Sequence, residues 1–181
     1  MVDIGANVGV FTVYAAKQTK NRVFSFEPLP SNCDYLQQNI KVNNLDNVTF
    51  NCEAVSDQQG VEKLYMSDSV AGNLLFDHNI EGKLERYIEV SCTTLQALMD
   101  RYDIPEIGFL KLDCEGSEGA ILKSTPDAYI KRIKKVAVEF HDNVSILKHD
   151  ALAERLQALG FITKFAWNGR SPFGYLYGWQ S

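Results

Sequence analysis

No stretch of this chain approaches the ~20 consecutive apolar residues that a membrane-spanning helix needs, although 45% of its 181 residues are hydrophobic. Positive charge is short as well. The 18 Lys and Arg are outnumbered by 23 Asp and Glu, and the net charge of −5 offers no general attraction for nucleic acid. The one basic cluster, Lys131-Arg132-Ile133-Lys134-Lys135, reads as a solvated strand entrance rather than a polyanion site. The first residues carry neither a charged leader nor a cleavage site, which predicts a cytoplasmic protein. Cysteines are scattered: Cys33, Cys52, Cys92 and Cys114 lack metal-type spacing and are expected as reduced thiols. Internal repeats and low-complexity segments are absent. The length suits one domain over residues 1–181, able to bury about 70% of its unfolded surface.

Also missing is the dinucleotide-binding glycine pattern G-x-G-x-x-G. The chain has instead a β-branched start, Val2-Asp3-Ile4, a turn Gly5-Ala6-Asn7-Val8-Gly9, and then Val10-Phe11-Thr12. Asn7 stands at the second glycine position and Val10 at the third, which argues against NAD. Gly5 and Gly9 are expected to leave room for a ligand at the backbone, with the N–H groups of the next helix meeting an anion there. A second apolar run, Val23-Phe24-Ser25-Phe26, ends in Glu27, 22 residues after Gly5 (27 − 5). In a nucleotide-binding βαβ unit, an acid near this spacing accepts hydrogen bonds from the ribose hydroxyls. Otherwise Glu27 caps the next helix.

Three blocks in order complete the pattern: Asp3 to Gly9, then Phe26-Glu27-Pro28-Leu29-Pro30-Ser31-Asn32, then Phe109-Leu110-Lys111-Leu112-Asp113-Cys114-Glu115-Gly116-Ser117-Glu118. Together they resemble the FkbM-type methyltransferases, S-adenosylmethionine-dependent enzymes of the class I fold. The likeness runs from Val2 to about Gly160, with Cys114 where the family usually has an aliphatic residue. It implies an α/β, Rossmann-like, doubly wound and mostly parallel seven-stranded sheet of order 3-2-1-4-5-7-6, strand 7 antiparallel. Only Met1 to Ile4 precede the first turn, whereas strands usually run five or six residues, so the N-terminus reads as clipped.

Taken in order, helices are expected over Val10 to about Lys20 and from a Ser31 cap to Asn43, with Tyr14, Tyr35, Leu36, Ile40 and Val42 among the apolar faces. Strands are expected over Arg22–Glu27 and Val48–Ala54. A loop and β insertion at about 56–92 follows, with antiparallel strands Val61–Met66 and Tyr87–Cys92 around a surface loop, Ser67–Lys83. In the related enzymes this region lies near the acceptor. Then come a helix from Thr94, a strand Gly108–Asp113, a short helix Gly116–Lys123 and a buried strand Lys135–Phe140. A helix capped by Asp150 and a hairpin of Phe161–Ala166 with Tyr175–Gln180 end the chain.

Methyl transfer from a sulfonium asks mainly for alignment. A hydroxyl acceptor must also lose a proton, so a nearby base helps. Asp113 with Glu115, and Glu139 with His141, suit that task. His141 is the best placed at neutral pH by its ordinary pKa, and either His141 or Asp113 is expected as the base. Each has a plainer reading: loop amides for Asp113, a helix N-terminus for Glu115, the cofactor's amino group for Glu139 and a hydrogen-bonded strand end for His141. The same groups could hold a divalent cation, but no tight ligand motif supports it and no metal is expected. The resemblance assigns Gly5, Asn7, Gly9 and Glu27 to the cofactor, and Asp3 to organising the loop or reaching the methionine amino group. Pro28 and Leu29 pack the adenine face, and Glu53 and Ala54 meet its edge. Ordinary core or loop packing is the alternative for Pro28, Leu29, Glu53 and Ala54. The expected function is S-adenosylmethionine-dependent O-methylation of a small-molecule or glycan hydroxyl. The alternatives are a non-catalytic binding module of the same fold and an NAD-linked oxidoreductase.

Overall fold

The structure, a computed structural model, describes residues 1–66 and 86–180. Its elements follow in chain order as β1 (Val2–Ile4), α1 (Val10–Gln18), β2 (Val23–Phe26), α2 (Pro30–Val42) and β3 (Val48–Asn51). Next come β4 (Ala54–Ser56), β5 (Gly60–Tyr65), β6 (Tyr87–Thr94), α3 (Leu95–Arg101), β7 (Leu110–Leu112) and α4 (Glu118–Ser124). The chain closes with α5 (Asp127–Ile130), β8 (Lys135–His141), α6 (His149–Ala158), β9 (Ile162–Ala166) and β10 (Phe173–Trp179).

Seven strands form one sheet in the order β3-β2-β1-β7-β8-β10-β9. Neighbours are parallel from β3 to β8, and β10 runs antiparallel to both β8 and β9. This is the expected 3-2-1-4-5-7-6 sheet, with its order reversing between β1 and β7. The central strands are apolar because helices cover both faces. Val2 and Ile4 of β1, Leu110 and Leu112 of β7, and Val136, Val138 and Phe140 of β8 are all buried in one cluster. Each such side chain contributes about 1.5–3 kcal/mol by leaving water.

β4, β5 and β6 form a separate three-stranded sheet around Ala54, Leu64, Val90 and Cys92. The expected strand Val48–Ala54 therefore breaks at Cys52-Glu53, and Ala54 pairs with Cys92 in the small sheet. β5 and β6 are antiparallel as expected. The expected loop Ser67–Lys83 lies outside the described residues.

Three local expectations are corrected. α2 starts at Pro30 after an extended Leu29, so Ser31 lies in its first turn and caps nothing; proline's missing N–H costs nothing there. α6 follows Lys148, leaving Asp150 as a first-turn acid favoured by the helix dipole. Val10, Tyr14, Tyr35 and Val42 are exposed, while small Ala15, Ala16, Cys33 and Leu36 face the sheet.

The cysteines are the largest correction. Cys33 and Cys52 form a disulfide, tying the first turn of α2 to the turn after β3. Their 19-residue separation gave no sign of pairing, because connectivity depends on where the sheet brings β2 and β3. Cys92 and Cys114 are free thiols.

Candidate active site

At the carboxyl edge of the sheet, the turn after β1 fixes the centre of the site. Gly5, Asn7 and Gly9 all have positive φ, at 78°, 51° and 88°. A Cβ on Gly5 would stand 1.7 Å from the Asp113 carbonyl oxygen, and one on Gly9 would stand 2.3 Å from Leu36 Cδ1. Both glycines are thus required by the protein's own packing. The side on which a Cβ would stand is taken by β7's exit at Gly5 and by α2 at Gly9. What remains open is the N-terminus of α1, which no side chain caps.

Glu27 lies just past β2 and is 6% exposed. Its Oε2 accepts the Asn7 N–H at 2.8 Å, and its Oε1 accepts the Leu29 N–H at 3.0 Å and Asn32 Nδ2 at 3.1 Å. Burial pushes its pKa up, and those three donors pull it back. A carboxylate offers about four acceptor positions, so three are used to shape the loop and one is left for a ligand hydroxyl. Pro28 and Leu29 are half-buried beside it. Glu53 and Ala54 follow β3, where Glu53 pairs with Arg101 and Ala54 is buried.

Asp3 is wholly buried beneath the loop. Its Oδ2 accepts the Thr12 hydroxyl at 2.6 Å, and its Oδ1 faces Lys111 Nζ at 3.4 Å as an ion pair without a hydrogen bond. Burial raises its pKa against the pull of Lys111. The same ammonium donates to the Gly5 carbonyl at 3.2 Å and pairs with Asp113 Oδ2 at 3.1 Å. Burial alone would strip Lys111 of its proton, but Asp3 and Asp113 outweigh it and hold the charge. The sequence reading passed over Lys111, though a lysine inside Phe-Leu-Lys-Leu-Asp was the signal: a charge in a buried strand needs acids nearby.

Asp113, Glu115, Glu139 and His141 do converge at the ends of β7 and β8. Glu139 lies beside Asp113 and beside Tyr175, its register partner on β10. Burial and the Asp113 charge raise the Glu139 pKa. Glu115 has φ 53°, an uncommon conformation for a side-chain-bearing residue, and its Oε2 lies 3.4 Å from His141 Nε2. The other ring nitrogen, Nδ1, lies 3.2 Å from Glu118 Oε1. Glu118, also passed over in the sequence, is fully buried and accepts the Cys114 and Gly116 N–H groups at 2.8 and 3.0 Å. Burial of the ring favours neutral His141, yet Glu118, Glu115 and Glu139 raise its pKa to about 9. That upward shift disfavours His141 as the base relative to Asp113. Exposed Phe173 and Tyr175 flank this cluster along β10.

A cavity of about 910 Å³ lined by Met1, Phe11, Tyr14, Phe24, Tyr102 and Phe109 lies at the opposite, amino-terminal edge. It holds none of these groups.

The Methyltransferase FkbM domain profile matches residues 3–163. This chain belongs to the FkbM methyltransferase family. Its relatives include the 31-O-demethyl-FK506 methyltransferase of Streptomyces tacrolimicus, 28% identical over 168 residues covering 77% of this chain and 64% of that one. Methyltransferase SdnD of Sordaria araneosa is 26% identical over 168 residues, 77% of this chain and 65% of its own. The chain therefore spans a little under two thirds of these relatives. Among solved structures, an FkbM methyltransferase from Methylobacillus flagellatus superposes with a TM-score of 0.62 at 17% identity, over 99% of this chain and 42% of that one. A methyltransferase-like protein of Streptococcus mutans, solved in complex with S-adenosylhomocysteine, gives 0.55 at 13% identity over 99% and 87%. At these identities the structures speak for the FkbM family's fold alone.

Proposed function

We propose that this chain is an S-adenosylmethionine-dependent methyltransferase acting on a hydroxyl of a small molecule or glycan. What supports the reading is the reversal of strand order between β1 and β7, where the Gly5 turn and the acidic cluster meet at Lys111. On the first side, the spare acceptor position of Glu27 suits a ribose hydroxyl. The uncapped N-terminus of α1 suits a carboxylate, since its free N–H groups favour negative charge. Pro28 and Leu29 offer an apolar wall for a purine, and the turn at Glu53 and Ala54 borders it.

When bound, S-adenosylmethionine supplies an electrophilic methyl group. The chain's own contribution is then to hold an acceptor in line, worth ~7–11 kcal/mol when alignment is good. The second contribution is to receive the hydroxyl proton. Asp113 and Glu139, neighbours near the ends of β7 and β8, are the acceptors assigned here, with Tyr175 beside the Glu139 carboxylate. His141, held between Glu115 and Glu118, orients the acidic wall.

Calorimetry with S-adenosylhomocysteine and NAD tests the reading. Saturable heat is expected with the first and none with the second. Binding of NAD with no response to S-adenosylhomocysteine overturns it.

A further inference from the structure

We propose that Asp113, Glu115 and His141 form a binding site for one divalent cation of the Mn²⁺ and Mg²⁺ class. The inference rests on the methyl-transfer reading only for its use, because the site itself is argued from these side chains. One ligand atom from each residue can be chosen so that all lie within 4.8 Å of one another. Donors on a cation with bonds of about 2.1 Å sit about 3 Å apart when adjacent and about 4.2 Å when opposite. Small side-chain movements therefore bring all three onto one ion, and none of the three is locked in a core, with side-chain exposures of 29%, 35% and 12% for Asp113, Glu115 and His141.

The independent observation lies behind the ligands. Glu118 is buried and held by two backbone N–H groups, so its carboxylate has a fixed position. From there it takes Nδ1 of His141 and leaves Nε2 aimed at Glu115. A carboxylate gripping one ring nitrogen while the other faces open acids is how proteins set an imidazole for a metal. The local charge agrees. Among the described residues, Asp113, Glu115, Glu118 and Glu139 are paired with Lys111 and His141. Two carboxylates and one imidazole form a mostly oxygen set, which suits Mn²⁺ or Mg²⁺ better than a thiolate-preferring ion.

Mn²⁺ serves as the probe, because its electron spin resonance reports both binding and ligand type. The full chain is stripped with chelator, freed of it, and titrated with Mn²⁺ in the absence of cofactor. One ion per chain is expected, with a pulsed-resonance nitrogen coupling from a single imidazole. Glu115→Gln and His141→Gln should each weaken binding at least about tenfold, and only His141→Gln should abolish the nitrogen coupling. His149→Gln, a control outside the cluster, should retain both. No site tighter than about 1 mM, binding without nitrogen coupling, or coupling that survives His141→Gln would each overturn the proposal. If His141→Gln does not fold, Glu115→Gln carries the affinity arm, and loss of the coupling on competition with Mg²⁺ carries the other. Calorimetry with S-adenosylhomocysteine on the same metal-free protein separates the two ideas. Its failure sinks the methyl-transfer reading, whereas silent Mn²⁺ with intact binding of S-adenosylhomocysteine sinks the cation site alone.

Discussion

Replacing Gly5 by alanine distinguishes a glycine kept for a ligand from a glycine kept for the fold. The new Cβ would meet three backbone atoms: the Asp113 oxygen at 1.7 Å, the Asp113 carbonyl carbon at 2.6 Å and the Cys114 nitrogen at 3.3 Å. No rotamer change relieves a backbone clash, so β1's turn and β7's exit must part. Forced overpacking of this kind costs about 1–3 kcal/mol. The φ of +78° adds about 1–2 kcal/mol for a residue with a side chain. The sum, ~2–5 kcal/mol, is a large share of the ~5–15 kcal/mol that holds a domain together. At a urea slope of about 2 kcal/mol per molar, the midpoint should fall by about 1–2 M. Gly160→Ala is the control, since its φ is +91° and its Cβ would meet nothing within 4 Å; it should lose only the backbone portion. Equilibrium urea melts of the two variants decide the matter. If Gly5→Ala melts with Gly160→Ala and loses only affinity for S-adenosylhomocysteine, the packing argument is wrong and the glycine is there for the ligand.

Two further outcomes are expected. Glu27→Ala should lower affinity for S-adenosylhomocysteine at least about tenfold, and should also lower the urea midpoint, because two N–H groups lose their acceptor at about 1–3 kcal/mol each. Calorimetry alongside melts checks this; unchanged affinity in the folded variant would leave Glu27 as a loop brace only. His141 has a pKa raised from 6.5 to about 9, so its charged contacts contribute fully below about pH 6.5 and fade as pH rises through about 9, a loss of about 3 kcal/mol. Urea midpoints measured with chelator across that window should fall in the wild type and stay flatter in His141→Gln. Parallel slopes would show that another group titrates.

The sheet was legible because each strand carried its own pattern. Val136-Ala137-Val138 could only be a strand covered on both faces, and Leu95, Leu98 and Met99 kept a helical spacing that the structure buries. Glu27 and Asp113 were legible for the same local reason: each follows an apolar strand, where a parallel sheet presents its chemistry. Apart from the helix caps, the failures were long-range. Nothing near Gly5 in sequence reveals that Asp113 occupies the space its Cβ would need, 108 positions later. Tyr14 and Tyr35 looked buried because they are apolar, but the narrow gap between helix and sheet accepts Ala15, Ala16 and Leu36 instead. The ionisation of His141 depends on three acids that only the fold assembles, and nothing in the sequence singles out Glu118 as one of them.

The Cys33–Cys52 bridge decides where the crevice can breathe. It welds the residues after β2 to the turn after β3, so the lip bearing Glu27 and Glu53 moves as one covalent piece. The segment from Cys114 to Gly116 is fastened instead through hydrogen bonds to Glu118, so the Glu27 side is braced by a covalent bond and the acidic side by hydrogen bonds.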